Sequence, residues 1–214
     1  MIQHYDCVIA ANGSFPTSPL ALELLRKASV IIACDGAAGT LHQNGFVADA
    51  IIGDLDSIPA SMRELYADRI HIDKDQETND LTKAVMFARQ SGERNVLIIG
   101  ATGLREDHTL GNISLLADYA PLFDRIEMLT DFGLFTPIRE TTTLGCKPGQ
   151  QISIFSLYPE GEITTEGLRW PITNRRLTAW WQGTLNEALT DTCTIHTGKE
   201  ARVIVYRLLL NGER

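Results

Sequence analysis

The chain has 214 residues, a formal net charge of −8 at pH 7, 44% apolar residues and 21% charged ones. That length allows one large domain or two small ones and buries roughly 70% of the unfolded surface, so folding needs no disulfide or metal staple. The acidic balance, 27 Asp and Glu against 19 Lys and Arg, argues against a nucleic-acid partner but leaves a nucleotide substrate open, because a bound cation neutralises local acids.

The N-terminus, Met1-Ile2-Gln3-His4-Tyr5-Asp6, has no basic segment and no long apolar one. No apolar run approaches the ~20 residues of a membrane span. No membrane partner and a cytoplasmic location are therefore expected. The first predicted strand is Cys7-Val8-Ile9-Ala10-Ala11, ending at Asn12-Gly13. The second is Val30-Ile31-Ile32-Ala33-Cys34, ending at Asp35-Gly36. The third is Ala50-Ile51-Ile52, ending at Gly53-Asp54. The fourth is Val96-Leu97-Ile98-Ile99, ending at Gly100. Continuous β-branched runs of this length suit strands covered on both faces.

Helical patterns lie between these runs. The clearest follows Asn79, a good N-cap, where Leu81, Ala84, Val85 and Ala88 recur at helical spacing and make one apolar face. Strands alternating with helices imply a mostly parallel sheet with right-handed crossovers. The pattern changes after about Pro148. Segments 151–158, 192–196 and 202–210 read as strands separated by turn signals, with no convincing helix. The expected architecture is therefore α/β: an N-terminal α/β/α domain over residues 1–145, then a small all-β sandwich over 146–214. A sandwich that small is marginal alone and is expected to pack on the first domain or on another subunit. The four cysteines, Cys7, Cys34, Cys146 and Cys193, are too dispersed for a zinc knuckle and are expected as reduced, buried thiols.

The acids carry the strongest functional signal. Asp35, Asp54 and Asp56 fall at or just past the C-terminal ends of predicted strands, the edge where open parallel sheets bind ligands. Gly53-Asp54-Leu55-Asp56-Ser57 puts two carboxylates at i and i+2, able to face one hard cation such as Mg²⁺; a turn with Asp as a helix cap explains the same segment equally well. A second run, Asp73-Lys74-Asp75-Gln76-Glu77-Thr78-Asn79-Asp80, reads alone as a solvated loop. Because it leads into the helix after Asn79, with Asp80 in the favourable first turn, two such clusters make a shared metal site of Asp54, Asp56 and Asp80 the better reading. A third element, Gly100-Ala101-Thr102-Gly103-Leu104-Arg105-Glu106-Asp107-His108, joins a strand to a helical stretch through Asn112. Its backbone N–H groups suit an anion, and Arg105 offers a planar fork for phosphate. It matches neither the P-loop nor the dinucleotide fingerprint, and His108 alone is more often a structural hydrogen-bonding group than a catalyst.

Together these segments resemble the thiamine pyrophosphokinase family. The matching pieces are Cys34-Asp35-Gly36-Ala37, Gly53 to Ser57, Glu77 to Asp80 with Thr82-Lys83, Gly103 to His108 with Asn112, Gly167-Leu168-Arg169-Trp170-Pro171, and Gly183-Thr184-Leu185-Asn186-Glu187. The resemblance implies a homodimer of subunits with an α/β domain and a β-sandwich. It implies transfer of pyrophosphate from ATP to thiamine, giving thiamine diphosphate and AMP, with Mg²⁺ on Asp54, Asp56 and Asp80. It further implies Asp107 with those three as catalytic carboxylates, Asp35, Glu77, Arg105, His108 and Asn112 on the nucleotide and metal side, and Thr184 and Asn186 at the thiamine pyrimidine. Trp170, Trp180 and Trp181 either stack on the thiazolium or fill the sandwich. Two positions depart from the family: Glu77 stands where an Asp is frequent, keeping a carboxylate, and Leu185 stands where Ser is usual, removing a hydroxyl. Two rival readings use the same residues: an Mg-dependent phosphohydrolase and a non-catalytic nucleotide-binding regulator.

Overall fold

The computed structural model describes residues 4–56, 58–199 and 201–213; Ser57, quoted above in the acidic motif, lies outside them. The first part alternates strand and helix: β1 (Cys7–Ala10), α1 (Pro19–Lys27), β2 (Val30–Cys34), α2 (Ala37–Gln43), β3 (Ala50–Gly53), α3 (Ala60–Leu65), β4 (Ile70–Ile72), α4 (Asp80–Gln90), β5 (Asn95–Ile99), α5 (Glu106–Tyr119) and β6 (Arg125–Leu129). These strands run parallel in the order β6-β5-β1-β2-β3-β4.

Both faces of this part of the sheet are covered, which is why its strands are apolar without alternation. Val8, Ile51, Leu97 and Ile99 meet Leu24 and Leu25 of α1 and Leu41 of α2 on one face. Cys7, Ile9, Ile32, Ile52 and Ile98 meet Leu81, Ala84, Val85 and Ala88 of α4 and Leu116 of α5 on the other. The apolar stripe read from the sequence is thus the buried face of α4. The Asn79 side chain caps that helix, accepting from Thr82 N at 2.9 Å.

The second part is antiparallel: β7 (Gly133–Ile138), β8 (Thr142–Gly145), β9 (Gln151–Ser156), β10 (Thr164–Glu166), β11 (Asn186–Glu187), β12 (Thr192–His196) and β13 (Val203–Leu208). After the turn at Thr130–Gly133, β7 folds back on β6. Then β13, β9 and β11 extend the same sheet to ten strands. Strands β10, β12 and β8 form a second sheet. Ile138, Leu144, Ile152, Ile154, Ile195 and Val205 form the core between the two. Hydrogen bonding runs unbroken through the expected 145/146 division, because β7 belongs to the long sheet. At the joint, buried Glu127 of β6 accepts from Tyr5 Oη at 2.6 Å and from Arg207 Nη2 at 3.1 Å, and Thr136 also donates to it. All four cysteines are buried free thiols.

Candidate active site

The sheet order reverses between β1 and β5: from β1 the chain proceeds outward through β2, β3 and β4, then returns to β5 and β6 on the other side. Loops leaving adjacent strands there diverge and open a crevice at the C-terminal edge. A cleft of about 490 Å³ lies at that edge, lined by Asn12 and Gly13 after β1, Asp35 after β2, Asp54 after β3, Asp75, Gln76, Thr78, Asn79, Asp80 and Lys83 around the start of α4, and Thr102, Arg105, His108 and Asn112 after β5.

One ligand oxygen from each of Asp35, Asp54 and Asp56 lies within 4.8 Å of the others. Asp35 is buried and sits at φ 40°, a conformation Asp tolerates better than most residues; its N–H donates to Ile52 O at 2.9 Å. Gly53 faces it: a Cβ there would stand 2.9 Å from Asp35 Cβ, so the motif's glycine is the room that lets two strand ends bring their carboxylates together. Leu55, at φ 70° and buried, anchors the turn between the other two acids. The backbone N–H of Asp56, bonded to Asp54 Oδ1 at 3.2 Å, together with Gln76 and Lys83, holds the Asp54 carboxyl below the usual range. An all-carboxylate donor set of this kind fits a hard divalent cation.

Asp80 belongs to the same cleft but has a different neighbour. It pairs with Lys83 Nζ at 3.2 Å, and that ammonium, almost wholly buried, also donates to Asp73 O. The cluster that gathers is therefore Asp35 with Asp54 and Asp56, while Asp80 faces the cleft beside a lysine. Burial, with Asp80 and Asp35 nearby, pushes the Cys34 thiol far up, so it stays protonated at the cleft floor.

The remaining expected residues divide. Arg105, His108 and Asn112 line the cleft. Asn112 donates to Ala101 O at 2.9 Å and accepts from Asn79 at 3.3 Å, tying the loop after β5 to the start of α4. Glu77 and Asp107 are exposed and outside the lining; Asp107 forms an ion pair with the Arg105 guanidinium, which holds its carboxyl low. Thr184 and Asn186 lie elsewhere, by β11 at the far edge of the ten-stranded sheet. Asn186 is buried and spends its amide on Trp170, donating to its C=O at 2.6 Å and accepting from its N–H at 3.1 Å. Trp170, Trp180 and Trp181 are all exposed, with Leu185 and Leu189 nearby in sequence, so none fills the sandwich core.

Sequence reasoning gave no role to Asn12, Gly13 or Lys83. The Asn-Gly at a strand end was the signal for the first two. A Cβ on Gly13 would meet Gly100 O at 2.4 Å and Thr102 O at 2.6 Å, which fixes the close approach of the two loops. For Lys83 the signal was its i,i+3 spacing from Asp80 on one helix face.

The family model described as "Thiamin pyrophosphokinase, catalytic domain" matches residues 21–129, and "Thiamin pyrophosphokinase, substrate-binding domain" matches residues 133–206. Thiamine pyrophosphokinase 1 of Oryza sativa subsp. japonica is 34% identical, the match covering 59% of this chain and 53% of that protein. Thiamine pyrophosphokinase 1 of Arabidopsis thaliana is 27% identical, covering 79% of this chain and 74% of that one. The chain thus spans about half the length of the rice relative. In fold, it superposes on the thiamine pyrophosphokinase of Bacillus subtilis with a TM-score of 0.79 at 20% identity, covering 96% and 99% of the two chains. For yeast thiamin pyrophosphokinase the TM-score is 0.75 at 18% identity, covering 97% and 87%.

Proposed function

The chain belongs to the thiamin pyrophosphokinase family, and from that premise we propose that it transfers a diphosphate group from ATP to thiamine, releasing AMP and leaving thiamine diphosphate. The observation that carries this reading is the group of three carboxylates, Asp35, Asp54 and Asp56, within 4.8 Å at the sheet's switch point. In this reading the thiamine hydroxyl oxygen attacks the β-phosphorus, the bond from that phosphorus to the α–β bridging oxygen breaks, and AMP departs with the bridging oxygen. The acceptor's proton passes to a carboxylate of the cleft. Asp54 and Asp56 would hold Mg²⁺ with Asp35 beside them and Asp80 across the cleft; when bound, the cation neutralises phosphate charge. The chain's own contribution is positioning and charge: Arg105 releases Asp107 to take a phosphate, His108 and Asn112 keep the loop after β5 in place, and buried Lys83 adds a fixed positive charge.

The division of labour is part of the proposal: ATP and metal on residues 1–145, thiamine and the dimer contact on 146–214, in a cytoplasmic enzyme. Among the described residues no helix is long and apolar enough to cross a membrane. Eight strand steps separate β11 from β3 in the sheet, on the order of 38 Å at about 4.8 Å each. One small substrate cannot touch both ends. A partner subunit that brings its Thr184 region to this cleft resolves the distance, and light scattering should then give twice the 23.7 kDa chain mass. A fully active monomer would refute that arrangement.

Incubation with Mg-ATP, with and without thiamine, tests the reaction when nucleotides are resolved by chromatography. AMP formed only with thiamine supports it. ADP or AMP released equally without thiamine would point to a phosphohydrolase, and ATP bound but intact would point to a regulator.

A further inference from the structure

Asp131 lies in the turn just past β6, outside the cleft lining. Its Oδ1 accepts the backbone N–H groups of Thr17 and Ser18, each at 2.8 Å, and its Oδ2 accepts the Thr17 hydroxyl at 2.7 Å. These contacts join positions 113 and 114 residues apart in the chain. Thr17 and Ser18 end the loop that leaves β1. The same loop begins at the cleft, where Asn12 and Gly13 are part of the lining. Gly13 N donates to Gly100 O at 2.7 Å, Ser14 N to Thr102 O at 2.9 Å, and Ser14 Oγ to Gly103 O at 2.9 Å.

Strand order gives these bonds their meaning. β5 lies between β1 and β6, so a loop that starts on β1 and is caught at the end of β6 must cross over the end of β5. It straps the glycine-bearing loop that follows β5 at the switch point. Helix α1 does not need Asp131 for its own capping: Ser18 Oγ already accepts from Ala21 N, and Pro19 opens the helix. The carboxylate therefore serves the strap. Its burial works against the charge, but the Thr17 hydroxyl and the two N–H groups outweigh that and hold its pKa below the usual range, leaving it ionised at neutral pH.

We infer that Asp131 is a positioning residue for the nucleotide side of the cleft, a latch that holds the strap and thereby fixes Asn12 and Gly13 against the loop after β5. The inference rests on the proposed use of ATP at this site. It touches neither substrate, so its signature is selective: the strap belongs to the nucleotide side, and the thiamine side is built from other elements.

The test combines kinetics with hydrogen exchange on the full chain. Asp131→Ala should raise KM for ATP about tenfold while KM for thiamine stays within about twofold. Asp131→Asn keeps an Oδ1 acceptor for both N–H groups and should return KM for ATP to within about threefold of wild type. Thr17→Val removes only the hydroxyl bond; it should raise the same constant about threefold and keeps the test alive if the alanine variant does not fold. Mg-ATP should slow amide exchange across residues 11–18 in wild-type protein, and Asp131→Ala should abolish that protection. Equal rises in both KM values, no rise in either, or no rescue by asparagine would overturn the latch. Wild-type protein that makes no thiamine-dependent AMP would instead sink the proposed reaction. Exchange would then decide the latch alone, with no Mg-ATP protection of the strap counting against it.

Discussion

In the parallel part of the long sheet, β1 and β3 are buried at every residue. In the antiparallel part, β9 and β12 alternate buried and partly exposed side chains. The first pattern comes from helices on both faces, the second from a single facing sheet. The difference has a chemical consequence. Parallel strands send all their C-terminal ends to one edge, so β1, β2, β3 and β5 can pool polar groups in one cleft. Antiparallel strands divide their loops between two ends, and what β11 carries is a turn held by Asn186 among exposed aromatics. One region assembles charge, and the other presents surface.

The joint between the regions offers the largest effect. Half-buried Arg207 pairs there with buried Glu127, so Arg207→Met strands a buried carboxylate and should cost about 3–5 kcal/mol of stability. Thermal unfolding should show one cooperative transition at lower temperature; two separate transitions would mean that the halves fold independently. Within the cleft, Asp54→Asn and Asp56→Asn keep shape and remove charge. Each should lower turnover on the order of a hundredfold or more without loss of folding, since like-charge repulsion is relieved. Near-normal rates in both would remove the cation site from the reaction.

At the other end, Asn186→Ala leaves the Trp170 N–H and C=O without their partner, a loss of about 1–3 kcal/mol. If that turn shapes the thiamine side, KM for thiamine should rise about tenfold while KM for ATP stays put. Equal changes in both constants would assign Asn186 to the fold alone. The smallest effect belongs to Glu77→Gln. Its exposed side chain lies outside the cleft lining, so rates should change no more than about twofold, as for other solvated charges. A large loss would move Glu77 into the site.

Much of this was legible because the signals are local. The run Val30–Cys34 is strand β2 residue for residue, Thr192–His196 is β12, and Asn79 is the N-cap of α4. The short strands β4, β10 and β11 carry only two or three residues each, too few to show a period, and their pairing partners define them. Asp54 and Asp56 announced themselves by spacing. Asp35 joined them only because β2 and β3 are neighbours and Gly53 lets their ends approach.

The sequence by itself determined the strand–helix alternation, the covered sheet, the acidic strand ends and the family, since each depends on periodicity or on residues close together in the chain. Tertiary structure alone decided which carboxylates converge, that Asp80 stands beside a buried lysine, that Asp131 holds a loop more than a hundred residues away, and that Thr184 and Asn186 lie by the outermost strand of the sheet, several strands from the cleft. Those facts are set by strand order and loop closure, and spacing along the chain carries no record of which strand ends become neighbours.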